Sequence, residues 1–66
     1  NGNVTISSDS NINSIEIYNI FGKPIYQTSN ILTHQSTIDI STHTNGIYIL
    51  KVKVNGKMQS FKLIKL

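Results

Sequence analysis

The chain has 66 residues and a net charge of +3, with no Cys, no Trp and no Arg. That length allows one small domain with a thin core and leaves little chain for walling a catalytic cleft. Without Cys there is no disulfide, thiolate metal site or Cys nucleophile, and a mild charge carried by Lys alone argues against a nucleic-acid binder.

Twelve residues are Ile, three are Val and six are Thr, and Ala is absent. Stiff β-branched side chains suit a pleated surface and disfavour helix, so the prediction is an all-β domain. In chain order, Asn3 to Ser7 reads as a short strand with Val4 and Ile6 on one face. Ser8 to Asn13 reads as a polar loop. Ser14 to Ile20 is a strand with Ile15 and Ile17 on one face and Glu16 and Tyr18 on the other. Phe21-Gly22-Lys23 is a tight turn, and Pro24 to Thr28 is the returning strand. Pro24 lacks an N–H and belongs at a strand start or edge. Ser29 to Gln35 reads as a loop carrying Ile31 and Leu32. Ser36 to Ile40 is a short strand, and Ser41 to Asn45 a connector.

The clearest local signal follows. Gly46 to Val54 and Lys57 to Lys65 are β-rich runs separated by Asn55-Gly56. Asn-Gly favours a type I′ turn, which needs positive φ at both central residues and sets the register. Val54 then opposes Lys57, Leu50 opposes Phe61, and Tyr48 opposes Leu63. Tyr48, Leu50, Val52, Phe61 and Leu63 form the expected core face. Lys51, Lys53 and Lys62 share the other face, together with Ile47, Ile49, Met58 and Ile64. The Ile47 end is apolar on both faces, so something is expected to cover it. Six such strands predict a small antiparallel sandwich, with a seventh strand supplied by the loops or by upstream sequence.

Chemistry is sparse. His34 and His43 sit in Ser/Thr-rich stretches without the further ligands a metal site needs. Ser36, His34 and Asp39 make a triad on paper, but no nucleophile elbow accompanies them. Glu16 and Asp39 lack a cleft for glycoside hydrolysis, and Asp39 fits a turn or capping role better. Tyr18 and Tyr26, on neighbouring strands, would form an exposed aromatic pair. That pair supports an alternative reading as a small glycan-binding module appended to a secreted hydrolase. The longest apolar run, Ile47 to Leu50, is too short to span a bilayer, so no direct membrane insertion is expected. No initiating Met is present, and the chain reads as a fragment of a larger protein.

One pattern covers essentially the whole chain. Val4-Thr5-Ile6-Ser7 is followed by Ile15-Glu16-Ile17-Tyr18-Asn19-Ile20-Phe21-Gly22-Lys23-Pro24-Ile25-Tyr26. Then come Ile38-Asp39-Ile40-Ser41 and Asn45-Gly46-Ile47-Tyr48-Ile49-Leu50-Lys51-Val52. Asn55-Gly56-Lys57 and Phe61-Lys62-Leu63-Ile64-Lys65-Leu66 close it. Each piece alone is weak; five pieces in this order are specific. The chain resembles the type A C-terminal sorting domain of the Bacteroidetes type IX secretion system. One feature departs from that family: it normally opens on an Asn-Pro element, and here Asn1-Gly2-Asn3 precedes Val4 without a Pro. No cleavage position is therefore assigned.

The resemblance implies an immunoglobulin-like antiparallel sandwich of six to seven strands, with residues 1–66 as one sorting domain. It implies a secreted or cell-surface parent protein that travels via the periplasm. The partners it implies are the outer-membrane translocon with its shuttle components and a sortase-like cysteine peptidase that removes the domain. It implies no active site and no cofactor. Gly46, Tyr48, Lys51, Lys53, Lys62 and Lys65 are the candidate recognition residues, all on the last hairpin. Gly46 and Tyr48 have a purely structural reading beside the functional one. An exposed strand edge would also permit a dimer through edge pairing.

Overall fold

The computed structural model describes residues 2–66, with the side chains of all but Asn30 and Ile31. Asn1 lies outside the described residues. Four strands are present: β1 (Asn3–Asn19), β2 (Pro24–Asp39), β3 (Gly46–Val54) and β4 (Lys57–Lys65). All pair antiparallel, in the order β2-β1-β3-β4. The all-β expectation holds, and each of the six expected segments lies in strand or at its edge.

The strand count differs from expectation because two expected loops are strand. Ser8 to Asn13 continues β1, and Ser29 to Gln35 continues β2. Polar, turn-rich composition suggested loops, yet Ile12 in the first stretch is fully buried. It sits in register with both Thr33 on β2 and Val54 on β3. Burying one Ile between two neighbours keeps the polar stretch extended. The pairing shifts register between Ser7 and Ile12 and again between Ile12 and Ser14. Such bulges bend a strand and increase its twist.

The bend is large. Seventeen residues of β1 would run roughly 56 Å if straight, whereas the longest extent of the molecule is 30 Å. The distal half of the β1–β2 hairpin, Asn3–Ser7 against Gln35–Asp39, therefore folds back over the sheet. It delivers Ile38 and Ile40 to the same core as Ile12, Ile15, Ile17, Tyr48, Leu50 and Val52. Val4, Ile6, Val54 and Leu63 pack around it. The molecule thereby closes a sandwich-like core from four strands, two of them bent double.

Turn chemistry matches the residues. Asn55 and Gly56 have φ of 53° and 77°, the paired positive values of a type I′ turn. The β3–β4 register agrees with expectation at every position, from Val54–Lys57 to Ile47–Ile64. In the β1–β2 turn, the Asn19 side-chain carbonyl accepts from the amides of Phe21 and Lys23, both at 2.9 Å. Pro24 begins β2, as its missing N–H requires.

Gly2 anchors the folded-back half. Its carbonyl accepts the Ile40 amide at 2.7 Å. A Cβ at this residue would lie 2.4 Å from the Ser41 Cα, inside backbone that cannot move aside. Gly2→Ala is expected to lower stability by about 2 kcal/mol through overpacking. Thermal unfolding followed by circular dichroism checks this, with a fall of roughly 10 °C expected.

Candidate functional site

Strand alternation places the candidate residues on the closing hairpin. Lys51 and Lys53 on β3 and Lys62 on β4 point away from the core. The register sets Lys62 opposite Ile49 and Lys51 opposite Ser60. These three Lys share one face, as expected. Lys65 does not join them: it pairs with Gly46 and shares the opposite face with Phe61 and Leu63. There its ammonium donates to the Asn45 side-chain carbonyl at 3.0 Å. The parity of β4 accounts for this, because residues 62 and 65 are an odd number of steps apart.

Tyr48 lies in the core at 4% exposure, and its hydroxyl donates to the Thr44 carbonyl. Gly46 opens β3 with φ of 150°, a backbone conformation rarely adopted by side-chain-bearing residues. Both residues therefore shape the start of the hairpin, and the ring of Tyr48 is hidden from any partner.

The outer face has a second feature. Glu16 on β1 lies directly across from Lys51, with Tyr18 two residues along. The Tyr18 hydroxyl donates to Glu16 Oε1 at 3.0 Å. The Lys51 ammonium sits 5.1 Å from the Tyr18 ring centroid, within cation–π range. The hydrogen bond to the Glu16 carboxylate raises the Tyr18 pKa above its ordinary value. Lys51 is thus held in place, whereas Lys53 and Lys62 stand exposed.

Tyr26 is not part of this face. It pairs with Ile17 and packs against the core. The register shift between Ile17 and Tyr18 places Ile25 in a bulge, and Ile25 and Tyr26 both turn inward. The expected Tyr18–Tyr26 platform is not formed, which removes the observation behind the glycan-binding reading. Phe61 also departs from expectation. It faces inward but remains 49% exposed, because the folded-back half stops short of β4. It lines a groove of about 460 Å³ with Val4, Ile6, Leu50, Val52 and Leu63. At the Ile47 end, Ile47 and Ile64 remain 43% and 62% exposed, so no described residue supplies the expected cover.

The paper triad does not assemble. Ser36 and Asp39, three residues apart in the regularly paired end of β2, lie on opposite faces of the strand. The Asp39 carboxylate instead accepts the Ser41 amide at 2.8 Å, the capping role expected of it. Its hydrogen bonds from the Ser41 side chain and backbone hold its pKa below the ordinary carboxylate value. Among the described residues, no cluster of three His, Asp or Glu is placed to hold a metal.

The bent sandwich, the Asn-Gly hairpin and the closing Lys-bearing strand run in the order described above. The family model of the secretion system C-terminal sorting domain matches residues 1–66, the whole chain. The chain belongs to that family. It is a C-terminal sorting signal for type IX secretion, which implies interaction with that secretion system and a secreted or cell-surface protein. Sorting domains of this family are in general non-catalytic. No curated protein and no solved structure matches the chain. Sequence reasoning found the Lys face of the sorting domain. It missed the groove beside Phe61, because nothing in a strand's alternation tells how far a distant hairpin folds over it.

Proposed function

We propose that residues 1–66 form a non-catalytic sorting domain at the end of a longer secreted protein, read by the secretion machinery through the closing hairpin. The parent protein crosses the periplasm folded. The outer-membrane translocon and its shuttle components recognise the domain. A sortase-like cysteine peptidase then removes it, and the cargo is anchored at the surface or released. Lys51, Lys53 and Lys62 present the charged face, and Lys65 adds a positive charge on the opposite face of the same hairpin. Gly46 and Tyr48 contribute by holding the start of β3 in shape.

The observation that carries this reading is the segregation of charge. Five of the six Lys lie on β3 and β4, whereas Asp9 and Glu16 lie on β1 and Asp39 ends β2. A partner approaching the hairpin meets a positive surface on a rigid frame, and like charges facing each other across an interface cost several kcal/mol.

The test is charge reversal at the two exposed Lys. A reporter carrying Lys53→Glu and Lys62→Glu should fold with an unchanged melting temperature. Its secretion in a type IX host should fall by more than about tenfold. Secretion at the unmodified level would remove the Lys face from the account.

A further inference from the structure

β4 is an edge strand of unusual completeness. Its nine residues pair with β3 without a bulge or register shift. It contains no Pro, and among the described residues no strand pairs with its other side. Residues flanking a two-residue hairpin turn form a hydrogen-bonded pair, and such pairs alternate with open ones. Lys57, Gln59, Phe61, Leu63 and Lys65 therefore bond to β3. The amides and carbonyls of Met58, Ser60, Lys62 and Ile64 point outward.

Natural edges of this length are blunted by charge, and here the charge is all of one sign. A second copy pairing antiparallel about Phe61 would set Lys57 against Lys65 at both ends. That arrangement is destabilising. The same Lys would each meet a carboxylate on a strand of opposite charge. The side chains along the edge alternate charge with apolar surface: Met58 is 52% exposed, Phe61 49% and Ile64 62%.

We propose that β4 is a strand-addition site for an extended acidic segment of a partner protein. The segment carries carboxylates opposite Lys57, Lys62 and Lys65 and an apolar side chain over Phe61 at the mouth of the groove. Backbone hydrogen bonds to Met58, Ser60, Lys62 and Ile64 supply pairing, and charge selects the sequence. The inference rests on the closing hairpin being the recognised element and adds the chemistry of what recognises it. Its test reads the edge alone, so peptide binding and reporter secretion can fail separately.

The probe is a blocked nine-residue peptide, Glu-Val-Thr-Glu-Leu-Thr-Thr-Val-Glu, added to the isotope-labelled chain. Amide exchange should slow at Met58, Ser60, Lys62 and Ile64, while Gln59, Phe61 and Leu63 stay as they were. Binding should weaken about tenfold between low and high salt. It should be absent for the peptide with Lys in place of each Glu. Ser60→Pro removes one outward N–H and none of the β3 ladder, so it should abolish binding while β3 amides keep their protection. Unchanged exchange at millimolar peptide, equal binding of the Lys peptide, or binding retained in Ser60→Pro would each overturn the proposal. So would a dimer formed through this edge at micromolar concentration.

Discussion

Ile17→Ala should remove more than half of the domain's stability. Ile17 is completely buried, between Tyr26 on β2 and Leu50 on β3. Truncating a buried Ile removes its transfer free energy and leaves a cavity, together about 3 kcal/mol. A chain this small has on the order of 5 kcal/mol of stability in total. Urea unfolding should show the midpoint falling by more than half. Ile20→Ala is the control, because Ile20 is 63% exposed in the turn and its loss should change stability by less than about 0.5 kcal/mol. Equal effects at the two positions would mean that the core is not where β1, β2 and β3 meet.

Tyr48 separates scaffold from signal. Tyr48→Ala should cost about 4 kcal/mol, since an aromatic ring is lost from a site only 4% exposed. Tyr48→Phe keeps the ring and deletes the hydroxyl that satisfies the Thr44 carbonyl, at a cost of about 1 kcal/mol. On the present account the Phe variant folds and its reporter is secreted normally. The Ala variant is lost before secretion, to unfolding and proteolysis in the periplasm. A Tyr48→Phe fusion that melts normally but stays inside the cell would make the hydroxyl part of the recognised surface.

Much of this was legible from residues alone. The Asn55-Gly56 turn determines the β3–β4 register, and the register determines which Lys share a face. The short-range physics of a two-residue turn is complete within the turn itself. Ile12 was not legible: it lies among Ser, Asp and Asn residues that favour turns, and its burial depends on Val54, far along the chain. Tyr26 was misplaced for a similar reason. One bulged residue, Ile25, inverts the alternation beyond it, and nothing local marks the bulge. Phe61 and Lys65 have the faces that the turn implies. Their exposure and contacts depend on how far the β1–β2 hairpin folds back.

The chain is a sorting signal for type IX secretion, and the charged hairpin is proposed as the part the secretion system reads. The most direct measurement fuses residues 1–66 behind a fluorescent reporter carrying its own signal peptide. It is expressed in a type IX host and in the same host lacking the translocon. The account predicts reporter at the surface or in the medium of the first host, and folded reporter held in the periplasm of the second. Periplasmic retention of the folded fusion in both hosts, or export in both, would contradict it.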